Sequence, residues 1–168
     1  MNETSRIVGH VTWRLVDADG TIVRQGEGRN IITAVGDRMY AERGAGVTGA
    51  IAGPTGMKLG IGSTTPAKSG AGAALATYLS DSHQAIDSGY PASSVSGAAR
   101  RITYQVTWPA GKATTASAIT EAVIVNDTLT NATSAEANTI SRIILSGVGS
   151  KAASVELVVT WTHDLLGA

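Results

Sequence analysis

Several stretches of the chain hold residue types that could do chemistry. GAGVTG at 44–49 spells G-x-G-x-x-G. A dinucleotide site needs a strand before that motif and a helix after it, so that the pyrophosphate meets a helix N-terminus. Here the preceding pattern is helical and the following one is loop-like, so the order is reversed. GIGSTTPAK at 60–68 is glycine-rich but lacks the Gly-Lys-Ser/Thr of a phosphate loop. Thr65-Pro66-Ala67-Lys68 approximates the Ser-x-x-Lys of acyl-transfer enzymes, yet Pro66 and the glycines oppose the helix that motif works on. DADG at 17–20 resembles the start of a calcium loop, without a third oxygen donor or the terminal Glu. His10, His83 and His163 form no close ligand pair. Asp81-Ser82-His83 has triad residue types, but adjacent residues of an extended chain point to opposite faces and do not converge. These readings predict no enzyme, no cofactor and no metal site.

The composition points the same way. The chain has 168 residues, enough for one domain (1–168) with its own core. Charged residues make up only 15% and balance to zero. No basic stripe marks a nucleic-acid partner, and no apolar run approaches the roughly 20 residues that span a bilayer. A charge-poor, neutral surface does little to prevent association. There is no cysteine, so disulfides and thiolate sites are excluded. MNETSRIVGHVTW lacks the basic and apolar regions of a signal peptide.

The elements that must position any site read as mainly β. IVGHVTWRLV (7–16) and TIVRQ (21–25) flank Asp-Gly and predict a hairpin, within an N-terminal segment 1–30 that could serve as an arm. One short helix is expected over about 34–43, with Thr33 as cap, Asp37 and Arg43 matching the helix dipole, Val35 and Met39 on one face, and Gly44 as the stop beyond its end. A glycine-rich loop region, 44–75, holds a short strand near Met57–Ile61. The strands of the remainder, 76–168, are expected at Ala76–Ser80, Gln84–Ser88, Arg100–Trp108, Ile119–Val125, Ile140–Leu145 and Val155–His163. Ile102, Tyr104, Val106 and Trp108 alternate with Arg101, Thr103, Gln105 and Thr107, which is strand periodicity. Trp13, Trp108 and Trp161 read as core. The pattern predicts an antiparallel β-sandwich or jelly roll.

Several segments, in order, resemble those of the small structural proteins of tailed bacteriophages. They are KLGIGSTTPAKSG (58–70) with Leu75, ARRITYQVTW (99–108), ITEAVIVND (119–127), ISRIILSGV (140–148) and LVVTWTHDLL (157–166). The similarity runs over roughly 55–166; the group's Gly-Leu-Phe after Glu-Ala is Val-Ile-Val here. The resemblance implies a β-sandwich virion component without catalytic residues, made in the host cytoplasm. Capsid decoration or a minor capsid role is expected, with the major capsid protein and further copies of the chain as partners. A minor tail or baseplate subunit, or a carbohydrate-binding receptor module, is the alternative.

On that reading, 58–75 is an extended arm lying along a neighbour. Its interface candidates are Gly60, Gly62, Thr64, Thr65, Pro66 and Lys68, joined by Glu121 and Arg142. Glu121 sits in the apolar run ITEAVIV. Buried, it needs a partner from Arg100, Arg101 or Arg142; exposed, it lies beside an interface.

Overall fold

The computed structural model describes residues 6–166. Strand β1 (Ile7–Val16) turns through 17–21 into β2 (Ile22–Ile32). The Asp17 carboxylate accepts from the Asp19 and Thr21 amides, and Gly20 takes φ +82°, a left-handed conformation that suits glycine. This is an Asx-type turn with no calcium geometry. Helix α1 (Ala34–Gly44) follows, and the Thr33 hydroxyl accepts from the Gly36 amide at 3.1 Å as its cap. Gly44 is the last helical residue, not the stop beyond it; the left-handed glycine past the end is Gly46, at φ +68°.

Seven further strands complete the molecule. They are β3 (Gly56–Gly60), β4 (Gln84–Ala85), β5 (Ala92–Ser96), β6 (Ala99–Trp108), β7 (Thr115–Val125), β8 (Thr139–Lys151) and β9 (Glu156–Leu166). The order across the sheet is β4-β3-β7-β8-β2-β1-β9-β6-β5, with every neighbouring pair antiparallel. β2 is the joint: it pairs with β1 from Ile22 to Asn30, but with β8 only through Ile31 and Ile32. At this joint the single nine-stranded antiparallel sheet curls into a half-barrel whose two halves form facing layers, the mainly β, sandwich-like architecture that the alternating strands predicted.

The core fills the space between the layers. Trp13, Trp108 and Trp161 come from one side and Met57, Leu59 and Ile124 from the other, none more than 4% exposed. Trp13 lies across β2 because residue 26 is glycine; a Cβ there would meet its ring at 2.5 Å. One flank is tied shut by 82–87. The Ser82 carbonyl accepts from Trp108 Nε1 at 2.6 Å, and its hydroxyl donates to the Leu59 carbonyl. The Asp87 carboxylate accepts from the Thr107 amide and hydroxyl and from the Gln105 side-chain amide.

Three expectations need correction. The N-terminal hairpin is no arm: within the described residues it forms the middle of the sheet, between β8 and β9. The first five residues of the 1–30 segment lie outside them. Ala76–Ser80 is not a strand; Tyr78 makes a single bridge to Gly60. The strand expected at Gln84–Ser88 shrinks to Gln84–Ala85, and β5 was not foreseen because ASSVS carries little β signal. Among the described residues no helix is long and apolar enough to cross a membrane.

Candidate functional site

The loop between β3 and β4 holds most of the residues singled out in the sequence. Its base is fixed by two charged side chains that project from the outer face of the β7–β8 pair. Glu121 and Arg142 are both 0% exposed and form an ion pair, with Arg142 NH2 donating to Glu121 Oε2 at 2.6 Å. A buried charge pair persists where further hydrogen bonds satisfy its remaining atoms. Here the backbone of the loop supplies them for every atom of the pair but Arg142 Nε, which is buried without a partner. Glu121 accepts from the amides of Gly62, Ala76 and Thr77 at 2.9–3.1 Å. Arg142 donates to the carbonyls of Thr64 and Gly72, each at 2.8 Å. Thr120 adds a bond from its hydroxyl to the Gly62 carbonyl.

The glycines follow from this arrangement. A Cβ at Gly60 or Gly62 would meet Glu121 Oε1 at 2.6 or 2.5 Å. Both residues are glycine so that the carboxylate can reach the backbone. Fastened at both ends, 58–75 is neither a phosphate cradle nor an extended arm, and the arm reading is corrected. Its crown docks on its own chain as well. The Lys68 carbonyl accepts from the Ala34 amide at the start of α1, the Lys68 ammonium pairs with Asp37, and the Gly70 amide donates to Glu136.

Of the interface candidates, Thr64, Thr65 and Lys68 are exposed on the crown, while Gly62 and Pro66 are half-buried. Gly60, Glu121 and Arg142 are buried, so these three belong to the loop's foundation and not to a surface. Of the three arginines weighed as partners for Glu121, the fold selects Arg142. Arg101 instead holds Asp164 through two bonds of 2.7 Å.

Three further titratable groups are buried: Lys58 and Lys151, not singled out in the sequence, and His163, considered there only as a metal ligand without a partner. Lys58, in β3, donates to the Ala132 carbonyl at 2.8 Å and lies 3.9 Å from Asp127. Lys151 sends its ammonium to three carbonyls, those of Pro109, Lys112 and Val155, at 2.7–3.0 Å. Burial lowers both lysine pKa values. His163 is wholly buried, and burial pushes its pKa down from 6.5 to about 3, so the ring is neutral. Asn30 Nδ2 can only donate, so Nε2 accepts from it at 3.3 Å; Nδ1–H then donates to the Tyr40 hydroxyl at 2.7 Å, and Tyr40 to Tyr104 at 2.9 Å. A lysine inside GMKLG was the one readable signal; nothing local marks the other two.

The remaining motifs resolve as structure. GAGVTG runs from the end of α1 into a turn, with Gly46 and Gly49 at positive φ. Ser82 is buried with its hydroxyl bound to β3, and Asp81 pairs with Lys112, away from any triad geometry. Among the described residues no group of three or more His, Asp or Glu could hold a metal ion. No protein-family model, curated protein or solved structure matches the chain.

Proposed function

We propose that the chain is a non-enzymatic structural subunit of a tailed-bacteriophage particle, docking on the assembled head as a decoration or minor capsid protein. The reading starts from the sequence resemblance over 55–166. The observation that carries it is the clamp itself: two buried charges hold a loop whose crown offers Thr64, Thr65 and Lys68 to solvent. Ile61 and Ile144, each 36% exposed, flank the clamp. A surface fixed in advance loses little conformational entropy on docking, and repetition on a symmetric shell turns a weak contact into firm attachment. In this reading the partners are the major capsid protein and neighbouring copies, and the chemistry is that of a small, neutral, hydroxyl-rich contact. A sugar-binding role draws no support from Trp13, Trp108 and Trp161, which are buried and offer no face for stacking.

Immunogold electron microscopy of purified particles, with mass spectrometry of the same sample, tests the proposal. Label over the heads is the expected result. Label confined to the tail replaces head docking with a minor tail role. Particles that lack the protein altogether overturn the virion reading.

A further inference from the structure

The two ends of the sheet are finished differently. At one end β4 is two residues long, and the segment after it is bonded onto β6 through the Asp87 amide and the Gln105 carbonyl. At the other end β5 runs for five residues, Ala92–Ser96, in unbroken register with β6. Ala92–Ser96 holds no charge, no proline (Pro91 lies just before it) and no bulge, and among the described residues no strand pairs with its outer edge. Ala92 to Val95 are all exposed, and Val95, at 70%, is the most exposed large apolar side chain among the described residues.

We propose that β5 is a self-association edge, on which a second copy of this chain pairs antiparallel, β5 to β5, about a two-fold axis at Ser94. The occupant follows from charge and register. A strand lined with one sign of charge repels its own copy; ASSVS is neutral, Arg101 beside Ser94 is already neutralised by Asp164, and the exposed Arg100 beside Val95 falls on the row of the other copy's neutral Ser93. The two-residue turn Gly97-Ala98, with Gly97 at φ +61°, closes on the pair Ser96 and Ala99. Antiparallel alternation then turns the N–H and C=O of Ser94 toward β6 and those of Ser93 and Val95 outward. Centred on Ser94, the outward groups of Ser93 in one copy meet those of Val95 in the other, twice over by symmetry. Each Val95 is covered, and one sheet continues through both molecules. This inference stands on the edge alone and is independent of the particle reading, since its test uses the purified chain.

Sedimentation velocity of the full chain, with two variants, decides it. The wild type is expected to dimerise with rising concentration. Val95→Lys, at an exposed position, is expected to abolish the dimer and to leave the melting temperature of the dilute, monomeric chain unchanged. Opposed residues of a non-hydrogen-bonded pair sit about 4.5 Å apart at Cα, within disulfide reach, and the chain has no cysteine of its own. Under mild oxidation Ser94→Cys is therefore expected to cross-link about tenfold faster than Ser63→Cys on the exposed loop, as a preformed pair demands. A wild type that stays monomeric at every soluble concentration overturns the proposal. So does a dimer that Val95→Lys leaves intact, or a Ser94→Cys variant that cross-links no faster than Ser63→Cys.

Discussion

The two layers of this protein are built from the same kind of strand but treat their outer faces in opposite ways. The β1–β9–β6 layer presents Thr12 and Thr160, exposed and half-buried, and among the described residues outside these three strands only Asp87, at the β6 edge, bonds to its outward side chains Gln105 and Thr107. The β3–β7–β8 layer is covered, and Gly56–Gly60 is buried at every position. Beneath its cover lie a second small apolar cluster, Leu75, Val123 and Val125, and the charges of Lys58, Glu121 and Arg142. The comparison teaches what those charges are for. A covering loop brings backbone amides and carbonyls that would be orphaned against a purely apolar face. Ionised side chains on the sheet satisfy them and fix where the loop lies.

Removing the clamp breaks the contrast most severely. Arg142→Met leaves Glu121 buried without its counter-ion and is expected to cost about 3–5 kcal/mol, read by urea unfolding. The same variant should speed trypsin cleavage after Lys68, whose carbonyl and ammonium are bonded to Ala34 and Asp37 in the folded loop. Acid gives the next largest effect and acts on the other layer. His163 binds a proton in the unfolded chain below 6.5, but in the folded chain only near 3. Stability is therefore expected to be full above 6.5 and to fall as pH drops toward 3, by up to about 1.4 kcal/mol per pH unit. His163→Gln should flatten that slope in urea titrations. Lys151→Met orphans carbonyls at the end of β8 and is expected to cost about 1–3 kcal/mol, seen as a lowered midpoint of unfolding. Smallest is the open face: Thr12→Ala should stay within about 0.5 kcal/mol of wild type. A loss there comparable to that of Arg142→Met would mean that the open face is covered after all.

The same difference decided what was legible in the sequence. β6 could be read residue by residue, because one face is wet and the other dry, so Arg101 to Trp108 alternate. β7 could be placed but not oriented: a strand covered on both sides has no polar face to break its apolar run, so Glu121 stood out without revealing its direction. The loop at 58–75 was found for its glycines but given the wrong role. Those glycines mark close approach by a carboxylate sixty residues further along, and no local pattern records that. Ala76–Ser80 fails to form a strand for a related reason: Glu121 takes the amides of Ala76 and Thr77, which leaves Leu79 to donate to β3, at the Leu59 carbonyl.

The position of β1 bears on how the molecule is made. Ile7 pairs with Leu165, and β1 runs the full length of β9. During synthesis β1 thus waits for β9 before its second edge is satisfied, and β2 waits for β8. Pairings this distant in sequence fold slowly. Until β8 and β9 emerge, the central hairpin is itself an open edge, exposed to other nascent chains. The slowest and most hazardous interval for this fold is thus expected to last until β9 docks on β1.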